Sequence, residues 1–166
     1  MQSRLLVEYM RTGAITPLKR GDSKKVVEAK LGPPDDWKGR VGGIGWVGPL
    51  LTDYHDSWAW HYGSLCVRFP QPELYGLPGI SLHYTDIPKP VGFPPPFAEL
   101  PQTCFTLREL INLLRDHKIQ FNDYRGDRGA AAVLVSEGDI GVGTVLGNCS
   151  PKAKVTYLWP FEFRCE

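Results

Sequence analysis

One alternating stretch of aromatic and apolar residues occurs twice in this chain, and that duplication narrows its possible folds more than any other feature. The run Trp58-Ala59-Trp60-His61-Tyr62-Gly63-Ser64-Leu65-Cys66-Val67 is followed by Gly79-Ile80-Ser81-Leu82-His83-Tyr84. It returns in altered form as Val133-Leu134-Val135-Ser136-Glu137-Gly138-Asp139-Ile140-Gly141-Val142, followed by Lys154-Val155-Thr156-Tyr157-Leu158-Trp159. Period-two alternation around a Gly-containing pair marks a β-hairpin, and each later segment supplies a third strand. A helical segment precedes each copy, so the unit is a helix followed by a three-stranded antiparallel meander, used twice. The expected fold is α+β, with two helix-plus-meander units packed as one domain over 1–166 and a sheet open to continuity between them. Pseudo-repeat halves fall at about 1–86 and 102–166, and a proline-dense connector, 87–101, is expected to run as extended polyproline-like chain.

The faces of each meander follow from its turn. A two-residue turn at Gly63-Ser64 sets Tyr62 against Leu65, Trp60 against Val67 and Trp58 against Phe69, because opposed residues share a face. That face is wholly apolar, and Ile80, Leu82 and Tyr84 extend it, so it belongs under the helices with Trp58 and Trp60 in the core. The opposite face carries Ala59, His61, Cys66, Arg68, Ser81 and His83. In the second copy, a two-residue turn at Gly138-Asp139 puts Leu134, Ser136, Gly141, Gly143, Thr156 and Leu158 on the corresponding open face. Gly141 and Gly143 leave that surface flat, fit for close approach by a partner's backbone or for a bulge.

Three helices are predicted. Ser3 caps the first, with Leu5, Leu6, Tyr9 and Met10 as its buried stripe and Gly13 as its end. Asp22 or Ser23 caps the second, which buries Val26, Val27 and Leu31 and stops at Gly32-Pro33-Pro34. Thr106-Leu107-Arg108-Glu109 matches a capping box for the third, with Leu107, Leu110, Ile111 and Leu114 inward and His117-Lys118 at its C-terminus. Between the second helix and the first meander runs a long loop holding Gly39, Gly42, Gly43, Gly45 and Gly48, of a length that often carries function.

Charge is balanced, 19 Lys and Arg against 18 Asp and Glu. That lacks the electrostatic footprint of a general nucleic-acid binder, so no nucleic-acid partner is expected. No stretch nears the ~20 apolar residues of a membrane span, so no membrane partner is expected either. The amino terminus carries Arg4, Glu8 and Arg11 and no apolar run with a cleavage site, which sets a cytoplasmic expectation. Cys66, Cys104, Cys149 and Cys165 form no Cys-x-x-Cys pair and read as reduced thiols.

No compact catalytic motif is present. His61, Cys66 and His83 share one sheet face, but the histidines belong to strands one and three, on the order of 10 Å apart, too far to share a zinc. Neither a metal nor a cofactor is expected. The Gly39–Gly45 segment lacks the Gly-Lys-Ser/Thr ending of a phosphate loop, and Asp123-Tyr124-Arg125-Gly126-Asp127-Arg128 lacks the spacing of a calcium loop. The enzymatic alternative is a loop-borne site assembled from Asp53, His55 and Asp56.

Gly21-Asp22-Ser23 with Val26, then Leu31-Gly32-Pro33-Pro34-Asp35 and an aromatic strand ending at Tyr62-Gly63, resembles the pattern of β-lactamase inhibitor proteins and of SmpA/BamE-type domains. The resemblance covers residues 20 to 84 and, more loosely, the second half. In overall style the chain is similar to cytosolic immunity proteins of bacterial polymorphic-toxin systems. That resemblance implies a protein-binding function in which the chain neutralises a cognate toxin enzyme by obstructing it; an assembly adaptor is the remaining alternative. Candidate contacts on the open sheet are His61, Arg68, His83 and Thr156. In the long loop they are Trp46, Asp53, Tyr54, His55 and Asp56, whose acids suit a basic catalytic cleft.

Overall fold

Ser3, Ser23 and Thr106 each accept a backbone N–H from the first turn that follows them, and three helices start there. In this computed structural model, residues 3–37, 53–70, 78–84, 92–124, 132–144, 147–148 and 150–161 are described. Helix α1 is Arg4–Thr12, ended by Gly13 at φ 68°, a left-handed conformation that glycine adopts without penalty. Helix α2 is Lys24–Leu31, and α3 is Leu107–Asp116, opened by the complete Thr106–Glu109 capping box. The buried stripes of α1 and α3 are as the spacing predicts, but α2 buries only Val27, while Val26 stays 38% exposed.

The strands are β1 (Ala59–Tyr62), β2 (Leu65–Arg68), β3 (Gly79–His83), β4 (Phe121–Asp123), β5 (Leu134–Ser136), β6 (Ile140–Thr144) and β7 (Val155–Pro160). They form one antiparallel sheet in the order β1-β2-β3-β7-β6-β5-β4. The two meanders therefore meet through their third strands, with Leu82 opposite Leu158 and His83 opposite Tyr157. Strand β4 is an addition that the repeat does not predict, so the second unit has four strands to the first unit's three. With three helices and this sheet among the described residues, the chain is α+β and mostly sheet.

The first meander has the expected register. Tyr62 opposes Leu65, Trp60 opposes Val67, and Ile80 and Leu82 continue the face. Trp60, Leu65, Ile80, Leu82 and Tyr84 are fully buried against residues of α1 and α3, including Leu6, Tyr9, Leu110 and Leu114. Trp58 departs from expectation: it is half-buried outside this core, and the Arg68 guanidinium lies 5.8 Å from its ring centre. The outer edge of β1 is covered by Asp35 and Asp36, whose backbone N–H groups donate to the His61 carbonyl at 2.9 and 3.3 Å.

The second meander differs from the prediction in two places, each with a physical cause. First, the turn after β5 holds three residues, because the Asp139 N–H donates to Ser136 O at 2.9 Å and Asp139 takes a positive φ of 56°. That slips the register by one, so Leu134 opposes Val142 and both are fully buried, while Val135 opposes Gly141. Second, a register shift beside Gly143 and Thr144 puts an extra residue into β7, which brings both Val155 and Leu158 into the core. Leu134, Ser136 and Leu158 thus leave the open face and are buried, and Tyr157 and Trp159 take their place there.

The connector differs as well. Its first part, 87–91, lies outside the described residues. From Phe93 to Leu100 it is a pair of turns, with Phe97 N–H donating to Pro94 O and Leu100 N–H to Phe97 O, pinned by the buried Phe97 and Leu100. Aromatic and leucine side chains between the prolines anchor this stretch on the core in place of an extended spacer.

Candidate functional site

Alternation along β1, β2 and β3 carries His61, Cys66, Arg68 and His83 to the face away from the helices, and β7 brings Tyr157 and Trp159 beside them. These strands are neighbours, so the side chains form one patch across the junction of the two units. The His61 and His83 rings stand 6.1 Å apart between centres, closer than their strand separation predicts. Cys66, the cross-strand partner of His61 on the strand between them, has its Sγ 3.8 Å from His61 Nε2. His83 in turn meets the Tyr157 ring edge-on at 4.5 Å. Arg68 donates from a terminal nitrogen to the Tyr157 hydroxyl at 3.1 Å.

One fixed charge governs the patch. Burial lowers the pKa of His83 to about 4, with His61 and Arg68 adding to the effect. Burial lowers His61 too, and Arg68 adds to this while Asp36 opposes it. Burial pushes the Cys66 thiol up to about 11, against the pull of Arg68. Near neutral pH the patch therefore holds one guanidinium among neutral imidazoles, a neutral thiol and a phenol. A protonated, unreactive thiol makes a poor nucleophile, so the His61–Cys66 contact lacks the electrostatics of a catalytic dyad. Among the described residues no group of three or more His, Cys, Asp or Glu is placed to hold a metal ion.

Beside this polar part lies an aromatic floor. A Cβ on Gly143 would fall 3.0 Å from the Trp159 ring, and one on Gly141 would fall 3.1 Å from it and 3.0 Å from Phe161. The Trp159 indole thus lies across both glycines, stacked beside Tyr157 at 5.1 Å with planes 17° apart. The flatness at Gly141 and Gly143 accommodates the chain's own rings in place of a partner's backbone, and the register shift beside Gly143 matches the other expectation, a bulge. Tyr157 and Trp159 were not among the sequence candidates. The signal for them was a Gly-x-Gly strand beside a Tyr-x-Trp strand, a pairing in which rings fill the space that missing side chains leave.

The remaining candidates are elsewhere. Thr156 sits at the irregularity in β7, where its hydroxyl lies 3.4 Å from Gly143 O. Asp53, Tyr54, His55 and Asp56 form a short 3₁₀ turn and its cap. Asp53 accepts from His55 N–H at 2.9 Å, and the Tyr54 hydroxyl donates to Glu28 of α2. Tyr54 O accepts from the Trp60 indole at 2.7 Å. The His55 ring lies tilted against Tyr54, 4.1 Å between centres, and approaches Glu28 at 3.9 Å, so this turn serves to fasten α2 to β1. Trp46, the Gly39–Gly48 stretch, Cys149, Cys165 and the 125–131 segment lie outside the described residues. Among the described residues no helix is long and apolar enough to cross a membrane. No protein-family model, curated protein or solved structure matches the chain.

Proposed function

We propose that this chain is a protein-binding immunity or inhibitor protein that neutralises a cognate bacterial toxin enzyme by seating its open sheet face on the enzyme. The observation that carries this reading is the row Trp58, Arg68, His83, Tyr157 and Trp159 across the face not covered by helices. Trp, Tyr and Arg are the residue types that dominate binding energy in protein interfaces, and a central, partly desolvated cluster is where they act. The strands hold these side chains in place before any partner arrives, which lowers the entropic cost of association. A fold of the β-lactamase inhibitor or SmpA/BamE type, with two helix-and-meander units sharing one sheet, belongs to the same proposal. The neutral histidines and thiol favour recognition over chemistry at this patch.

The test is reconstitution with the product of the adjacent gene. The proposal expects a stoichiometric complex, loss of that protein's toxicity in cells, and hydrogen-exchange protection concentrated in β2, β3 and β7. Retained toxicity with no complex would count against it. Loss of function in His55→Ala and Asp56→Ala variants that still fold and bind would instead favour the enzymatic alternative.

A further inference from the structure

Among the described residues, Arg68 is a cation without a counter-ion. It takes part in none of the four ion pairs among the described residues, which join Arg11 to Glu137, Arg20 to Asp139, Lys30 to Asp22 and His55 to Glu28. Its Nε is shut off from solvent and, among the described residues, finds no hydrogen-bond acceptor; His83 Nε2 is likewise buried without a partner among them. Trp58 lies against one side of the guanidinium and the Tyr157 hydroxyl accepts one of its N–H groups, so its position is fixed. A half-buried guanidinium with no carboxylate beside it costs stability, because burial penalises a charge that nothing pairs.

We infer that the Arg68 patch is a receptor for one carboxylate side chain, an Asp or Glu carried by the protein that docks on the open face. The inference rests on the proposed binding reading and gives it a polarity: the partner presents an acid here, whereas the sequence candidates Asp53 and Asp56 suggest a partner presenting bases. Charge complementarity selects the occupant. A guanidinium matches a carboxylate in two parallel hydrogen bonds, here through its two terminal nitrogens, since Nε is shut off from solvent. A single cation between aromatic walls suits a monoanion; a phosphate group, with nearly two charges, calls for a second cation, and the histidines here are neutral. The Tyr157–Trp159 floor then takes the apolar stem of the same acidic residue or its neighbour.

The experiment needs no knowledge of the toxin. The full chain, labelled at arginine and histidine side chains, is titrated with N-acetyl-glutamate N-methylamide and, separately, with its neutral glutamine counterpart, while the Arg68 Nε–H and His83 ring resonances are followed. The glutamate compound is expected to move both signals to saturation and the glutamine compound to leave them in place. Arg68→Lys is expected to weaken the response several-fold, since an ammonium does not offer the paired fork, and Arg68→Gln to remove it. Absence of any response, equal response to both compounds, or tighter saturation by inorganic phosphate would overturn the inference. The wild-type comparison stands even if a variant folds poorly. The two proposals fail separately: a glutamate response with no toxin complex removes the immunity reading alone. A toxin complex on this face indifferent to Arg68→Gln removes the carboxylate site alone.

Discussion

The Arg68 guanidinium reaches across from β2 to hydrogen-bond the Tyr157 hydroxyl of β7 at 3.1 Å, joining the two meander units on the face that the helices leave open. That contact crosses β3, so it ties together the side chains of His83 and the two flanking units as well as the strands themselves.

Acid should loosen this patch before it affects the rest of the fold. Because the folded His83 pKa lies near 4 against an ordinary 6.5, the unfolded chain binds a proton in that interval that the folded chain refuses. The contribution is complete above 6.5 and is lost as pH falls towards 4, and the depressed His61 acts in the same sense. We expect roughly 2–3 kcal/mol of pH-dependent stability from His83, read as a falling urea midpoint between about pH 7.5 and about pH 5. His83→Gln should flatten that slope; an unchanged slope would mean that the ring is solvated in the folded state.

The three-residue turn after β5 depends on Gly138. Its N–H donates to Met10 O at 3.2 Å, and a Cβ there would fall 2.7 to 2.8 Å from the backbone of Arg11, Thr12 and Gly13. Backbone cannot step aside as a side chain can, so Gly138→Ala should cost about 2 kcal/mol or more in chemical denaturation. Gly92→Ala, whose added Cβ meets nothing within 4 Å, is the matched control and should stay within about 0.5 kcal/mol.

Helix α3 should lose about 1 kcal/mol in Thr106→Ala, since the hydroxyl accepts the Glu109 N–H at 3.3 Å and its removal leaves that donor uncapped. The Glu109 carboxylate is held below its ordinary pKa by the Thr106 backbone N–H and hydroxyl. Its stabilising effect is therefore present above the usual carboxylate range and lost as pH falls through the lowered value, a dependence that Glu109→Gln should abolish in thermal melts near pH 4.

Cys66 should resist alkylation in the folded chain. Burial holds the thiol near pKa 11 and 1% exposed, so iodoacetamide followed by peptide mapping should label it only after denaturant is added. Rapid labelling under native conditions would show that the patch opens.

Much of this architecture could be read from residue spacing, and the exceptions share a cause. Caps at Ser3, Ser23 and Thr106 and the Tyr62–Leu65 hairpin obey local rules, and local rules sufficed for them. The second meander broke from its template because Asp139 took a left-handed turn that α1 holds in place and because β7 gained one residue near Thr156. Both changes invert a face without altering the alternation visible in the sequence. For the same reason the site was half legible: His61, Arg68 and His83 lie where expected, while Tyr157 and Trp159 were hidden behind an extra residue. Strand β4, only three residues long with Phe121 as its one apolar member, offered no period to detect.

Calorimetric titration of the proposed partner, the product of the adjacent gene, into the wild-type chain and into an Arg68→Ala, Trp159→Ala double variant tests the central claim most directly. The account predicts an affinity loss of about 100-fold or more for a variant that keeps its far-ultraviolet spectrum, because central Arg and Trp anchors carry most of such binding energy. Unchanged affinity in that variant, or a loss produced only by substitutions in the Asp53–Asp56 turn, would contradict it.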